Sequence, residues 1–87
     1  MKHSTVIIFK ETDKLNALIS CQRKIALESQ MVEPWQECVR ECSEMLLYLE
    51  SICETKRAKE KIDDCYTNFL FTAMEVNGAL GVYEKKL

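Results

Sequence analysis

The apolar residues that follow Pro34 repeat with the period of a helix. If Trp35 is taken as the first position of a heptad, the first, fourth and fifth positions are all apolar, and they are Trp35, Cys38, Val39, Cys42, Met45, Leu46, Leu49, Ile52 and Cys53. A continuous stripe of this width is typical of a helix that buries one face. Because proline is favoured in the first helical turn, the pattern predicts a helix over residues 34–55.

A second stripe starts at Ile62 and predicts a helix over residues 58–84. Its members are Ile62, Cys65, Tyr66, Phe69, Thr72, Ala73, Val76, Ala79, Leu80 and Tyr83. This stripe does not continue the register of the first one, which would place Lys56 and Glu60 on the buried face. A turn near residues 55–62 explains the change best.

Two residues are candidate N-caps for the helix that follows this turn. They are Thr55 and Asp63, whose side-chain oxygens accept hydrogen bonds from backbone N–H groups at helix starts. Since neither glycine nor proline lies between residues 35 and 77, one long bent helix is the alternative.

The N-terminal third carries a less regular stripe. Its apolar members are Leu15, Leu18, Ile19, Ile25 and Ala26, and Thr12 is a plausible N-cap. The residues before it, 4–9, are rich in β-branched side chains and are compatible with a strand. A strand there would need a partner from another molecule, so we favour a helix over residues 5–30.

These elements predict one all-α domain over residues 1–87. The short connection at residues 29–32 favours antiparallel neighbours. We therefore expect a small antiparallel three-helix bundle, or a long helical hairpin with an N-terminal helix across it. The composition agrees, since 47% of the residues are hydrophobic, 30% are charged, and there are two glycines and one proline.

Charge and hydropathy limit the choice of partners. The net charge of −2 disfavours general binding to nucleic acids or membrane surfaces, which needs a basic excess. The basic cluster at residues 56–61 is a weak candidate for nucleic-acid contact and is better interpreted as a solvated turn. The apolar run at residues 6–9 is too short for a signal peptide, and no run approaches the roughly 20 residues of a membrane span. We expect a cytoplasmic protein.

The five cysteines are the main candidates for chemistry. Cysteine packs as a small apolar residue, and each one lies on or beside a predicted stripe, so we expect free structural thiols. The alternative is a soft-metal or thiol-redox protein that uses Cys38, Cys42, Cys53 and Cys65. Zinc-finger spacings are absent, and His3 is the sole histidine. No catalytic or cofactor motif is present, and we expect a non-enzymatic protein with no cofactor.

Several apolar residues lie off the predicted stripes. They are Leu47, Leu70, Phe71 and Met74, which with Gly78 define what we call the second apolar face. Phe71, Met74, Gly78 and Gly81 share one side of a helix, and the two glycines would let another backbone approach closely. A helix that is apolar on two sides needs cover on both. The N-terminal segment would supply that cover within the chain, but we favour another molecule.

The functional prediction follows from this second apolar face. We expect a small acidic interaction protein of the chaperone, adaptor or inhibitor type, working as a homodimer or bound to another protein. An acidic row on the predicted second helix, Glu37, Glu41 and Glu44, would orient the partner and raise the rate of association.

Overall fold

Three helices make up the computed structural model, which describes residues 2–82. They are α1 (His3–Ser29), α2 (Val32–Ile52) and α3 (Lys56–Leu80), and no strand occurs in this range. The predicted all-α three-helix bundle is confirmed. The bundle measures 42 × 30 × 16 Å. Tyr83, predicted to lie on the buried stripe of the third helix, is outside the described residues.

The direction of the helices is visible in the pairs that join them. Near the start of α2, Trp35 reaches the end of α3 and donates its indole N–H to the Asn77 side-chain oxygen at 2.8 Å, so α2 and α3 are antiparallel. Thr5 meets Thr55 near the starts of α1 and α3, where their hydroxyl oxygens are 3.2 Å apart. Arg23 bonds Glu75 towards the ends of the same two helices. Thus α1 and α3 are parallel, and α2 runs against both.

The helix α1 begins before the position that the sequence indicated. Residues 4–9 are helical, which confirms the helix that we favoured there over a strand. Thr12 is not an N-cap, because it lies inside α1 and is completely buried. Its hydroxyl donates to the Ile8 carbonyl oxygen at 2.8 Å, which satisfies the polar group within the helix. A buried threonine is therefore part of the face that α1 turns to the core.

The buried face of α1 also corrects the predicted stripe. Its members recur every three to four residues and are Thr5, Ile8, Thr12, Leu15, Ile19 and Ala26. Leu18 and Ile25 are exposed, although both were predicted to be buried. Each precedes a buried residue, and one residue turns the helix by about 100°, which carries their side chains to the surface.

The connection between α1 and α2 is two residues long. Gln30 ends α1 in the left-handed conformation, with φ of 59°, and its N–H donates to the Ala26 carbonyl oxygen at 2.8 Å. The helix α2 begins at Val32, two residues earlier than predicted. Pro34 still lies in the first turn, where backbone N–H groups have no partner within the helix, so the N–H that proline lacks is not needed.

A complete break separates α2 from α3. The helix α2 ends at Ile52, so Cys53 and the rest of the predicted span lie in the turn. Thr55 is the N-cap of α3, and its hydroxyl oxygen accepts the Ala58 N–H at 3.1 Å. Asp63, the other candidate, is inside α3 and pairs with Lys59 at 2.9 Å. The alternative of one bent helix is therefore wrong.

Removing this cap should weaken the bundle. We expect Thr55→Ala to lower the free energy of unfolding by about 1 kcal/mol, since one N–H at the start of α3 loses its partner. Urea unfolding followed by helical circular dichroism measures the change. Ser20→Ala, at an exposed position within α1, is the control and should change stability by less than about 0.5 kcal/mol. Equal effects of the two substitutions would contradict the capping role.

The core combines the stripes of all three helices. Its largest completely buried side chains include Ile8, Ile19, Trp35, Leu49, Ile62 and Val76. The α2 stripe is confirmed in outline, with Val39, Met45 and Ile52 packed at its margins. On α3, however, Tyr66 and Ala79 are exposed. The buried line of α3 passes through Ile62, Cys65 and Phe69, which leaves Tyr66 at the rim.

Candidate protein-binding face

The second apolar face lies on the surface of the bundle. Phe71 and Met74 occupy neighbouring turns of α3 and are 69% and 70% exposed, while Leu47 on α2 is 67% exposed. Leu70 and Gly78 on α3 are also exposed, whereas Gly81 lies beyond the end of α3 as its C-cap. The space around Gly78 is open, since a Cβ atom added there would meet no atom within 4 Å apart from its own stretch of helix. These apolar side chains therefore have little cover from residues 2–82.

The rotation of α3 explains this exposure. Phe71 follows the buried Phe69 by two residues, which is about 200° of helical turn, and so it points away from the core. Met74 follows the buried Ala73 and is turned by about 100° from it. The N-terminal segment does not cover this side, because it forms the start of α1 and packs beside the Thr55 turn. The alternative of cover by that segment is therefore wrong.

A groove between α2 and α3 adds to this surface. It encloses about 130 Å³ and is lined by Ser43, Leu46, Leu47, Glu50 and Tyr66. The Tyr66 ring packs against the Phe69 ring, with the centroids 6.3 Å apart, so the tyrosine is held at the rim by an aromatic contact. Sequence reasoning missed this role, because the spacing of Tyr66 placed it on the buried stripe.

The acidic row lies on a different side of α2. The Arg40 guanidinium donates to Glu37 and, at 3.0 Å, to Glu44, and these carboxylates raise the pKa of Arg40. Glu41 lines a groove of about 240 Å³ between α1 and α2, whose wall also includes Glu37 and Leu18. The structure thus pairs two of the three acids within α2, and it separates the row from the α2–α3 groove.

The cysteines do not form one cluster. Cys38, Cys42 and Cys65 are buried, Cys53 is half-buried in the turn after α2, and Cys21 is exposed. Within residues 2–82, no group of three or more histidine, cysteine or acidic side chains is arranged to hold a metal ion. The set of four cysteines considered from the sequence is therefore not assembled.

Two buried thiols interact directly. The Sγ atoms of Cys38 and Cys42 are 3.9 Å apart. The hydrogen bond from Cys42 lowers the pKa of Cys38, and the same contact together with burial raises the pKa of Cys42. Burial also raises the pKa of Cys65, whose thiol faces the Thr12 carbonyl oxygen at 3.8 Å. Ionisation of the pair is therefore easier at Cys38 than at Cys42.

The basic cluster is largely engaged within the bundle. Lys59 pairs with Glu50 and Asp63, and Lys61 pairs with Asp13 at 3.3 Å. The Arg57 guanidinium lies over the Phe9 ring, 5.2 Å from its centroid. These contacts tie the cluster to α1 and α2. His3 is exposed in the first turn of α1.

Comparisons with known proteins do not indicate a function. No protein-family model, curated protein or solved structure matches it. Between residues 2 and 82, none of the helices combines the length and the apolar character needed to cross a membrane. The indications of function therefore lie on the surface of the bundle itself.

Proposed function

We propose that this protein is a non-enzymatic, cytoplasmic interaction module that binds protein through the second apolar face. The observation that carries the proposal is the exposure of Phe71 and Met74 on neighbouring turns of α3, and Leu47 on α2 is exposed to a similar degree. Complete burial of a leucine, phenylalanine or methionine side chain is worth about 1.5–3 kcal/mol. Contiguous exposed apolar residues therefore favour association, and on folded proteins they mark interaction sites.

The partner we favour is a second copy of this chain. Two α3 helices that pair antiparallel about a two-fold axis would set Phe71 of one copy against Met74 of the other, and the reverse. Methionine sulfur makes favourable contacts with aromatic rings. The same register brings Gly78 opposite Thr67, where the open side of the glycine leaves room for the threonine. The face is self-complementary in this register.

The acidic row plays a smaller part in this proposal than the sequence suggested. Arg40 already pairs with Glu37 and Glu44 in the single chain, which reduces their effect on an approaching partner. If the partner is a different protein, the chain would act as a chaperone, adaptor or inhibitor subunit through the same apolar residues. Burial of apolar surface is the mechanism in either case.

The mass of the pure protein tests the choice of partner. We expect sedimentation equilibrium to give about twice the 10.1 kDa of one chain, with dissociation on dilution because association depends on concentration. A mass of one chain at the highest concentration studied would contradict self-association. A stable dimer whose mass is unaffected by substitutions at Phe71 or Met74 would contradict the choice of face.

A further inference from the structure

The Cys38–Cys42 pair lies next to the groove between α1 and α2. Cys38 lines that groove and is 6% exposed. Cys42 is completely buried and is reached from the groove only through its contact with Cys38. The pair occupies successive turns of α2, so the backbone of a regular helix holds the two thiols on one side. This arrangement gives a buried pair of sulfur ligands with an approach from solvent.

The spacing of the two sulfurs does not suit a disulfide. The S–S bond is about 2.05 Å long and joins Cβ atoms about 3.8 Å apart. Residues four apart on a helix have Cβ atoms about 5–6 Å apart, so closing the bond would unwind a turn of α2.

The same spacing suits one metal ion between the sulfurs. We take metal–sulfur bonds of about 2.3 Å. Two thiolate sulfurs on one ion are then about 3.8 Å apart if the sulfur–metal–sulfur angle is tetrahedral, and about 4.6 Å apart if the two sulfurs lie on opposite sides of the ion. The observed 3.9 Å lies near the tetrahedral end of this range. An ion held by two thiolates alone favours the opposite arrangement, so the two side chains would turn apart on entry while the helix stays intact.

The number and type of ligands select the ion. Structural zinc needs four ligands, and within residues 2–82 no third histidine, cysteine or acidic side chain joins this pair to form a metal-binding group. Soft thiolates select Cu(I), a monovalent ion that is stable with few sulfur ligands. Glu41 lines the groove beside Cys38, and its negative charge favours the approach of a cation.

We propose that Cys38 and Cys42 form a two-thiolate site that binds one Cu(I) ion, reached through the groove between α1 and α2. Two S–H bonds break, two Cu–S bonds form, and both protons pass to solvent, with no change in the oxidation state of copper or sulfur. The empty pair remains packed as part of the core. The ion adds a function to the thiols and is not needed for folding.

The test is a titration of the folded chain with Cu(I) in oxygen-free buffer against the chelator bicinchoninate. Cys21→Ser is included throughout, because the exposed Cys21 thiol would bridge copper between chains. We expect one retained Cu(I) per chain, unchanged helical circular dichroism, and two protons released per ion. Because both thiols must ionise, the affinity should fall as the pH is lowered.

The matched variants are Cys38→Ala and Cys65→Ala, which each remove one buried thiol from the same core. Losing a residue that only hydrogen-bonds to a metal ligand typically weakens metal binding by about 10–100-fold. Cys38→Ala removes a ligand itself, so it should weaken Cu(I) binding by more than that. Cys65→Ala should bind as before. Equal binding by both variants, equal loss in both, or no retained copper would overturn the proposal.

Proton release keeps the proposal testable if Cys38→Ala fails to fold. It is measured on the chain that retains both thiols, and two protons per Cu(I) support the two-thiolate site. One proton or none would overturn it. Cys38→Ser keeps the size of the side chain beside the groove and provides a second folded variant, for which the same loss of binding is expected.

Discussion

Replacing Phe71 with aspartate is expected to convert a dimer into single chains that remain helical. Phe71 is 69% exposed in the single chain, so the substitution leaves the core intact. In the proposed dimer the same position is covered by the partner, and the new carboxylate would be buried without a counter-charge. Such a charge costs several kcal/mol, on the order of 3–5. Sedimentation equilibrium and circular dichroism on one sample measure mass and fold together.

A charge placed elsewhere provides the control for this experiment. Ser20→Asp adds the same carboxylate at an exposed position on α1, and the mass should remain that of the dimer. Met74→Asp should repeat the effect of Phe71→Asp, because both side chains belong to one face. If Phe71→Asp unfolds the chain, the phenylalanine supports the fold and not the interface. If neither mass nor helicity changes, Phe71 is simply exposed and the proposed function loses its main support.

Replacing Trp35 with alanine should lower the free energy of unfolding by about 3–5 kcal/mol. The indole is 1% exposed, and its N–H donates to the Asn77 side-chain oxygen at 2.8 Å. The substitution leaves a large cavity and removes a contact between the start of α2 and the end of α3. Since small domains have only about 5–15 kcal/mol of stability, a large part of it would be lost. Urea unfolding at a fixed protein concentration measures the loss.

Trp35→Phe separates the two contributions of this side chain. The phenyl ring keeps much of the buried apolar area but cannot donate to Asn77. We expect a smaller loss, about 1–3 kcal/mol, from the missing volume and the unpaired amide oxygen. If the alanine variant loses less than the phenylalanine variant, the indole is not the anchor that its burial indicates.

The strongest features of the fold could be predicted from the sequence. The second and third helices were evident because their stripes are wide and unbroken. Thr55 was a correct candidate N-cap, since the change of register required a turn close to it. The exposure of Phe71 also follows from spacing alone, because a residue two positions from a buried one points to the other side of the helix.

Other features depend on tertiary contacts that carry no periodic signal. Thr12 resembles a cap in the sequence, yet its hydroxyl bonds to its own helix and is buried. Tyr66 has the spacing of a core residue but remains at the rim of the α2–α3 groove. The pairing of Arg40 with two acids could not be predicted, because the pattern of charges does not show which side-chain conformations bring the charged groups together. The groove beside Cys38 required both α1 and α2 to be in place.

The parallel arrangement of α1 and α3 has a consequence for how the chain is made. The contacts that join these helices connect residues about fifty positions apart, such as Thr5 with Thr55 and Arg23 with Glu75. During synthesis, α1 leaves the ribosome well before α3 exists, and domains fold as units. Until residues 56–80 emerge, the apolar side of α1 has only α2 to pack against. A ribosome stalled before that point would hold an incomplete bundle with its future core open to aggregation and to molecular chaperones.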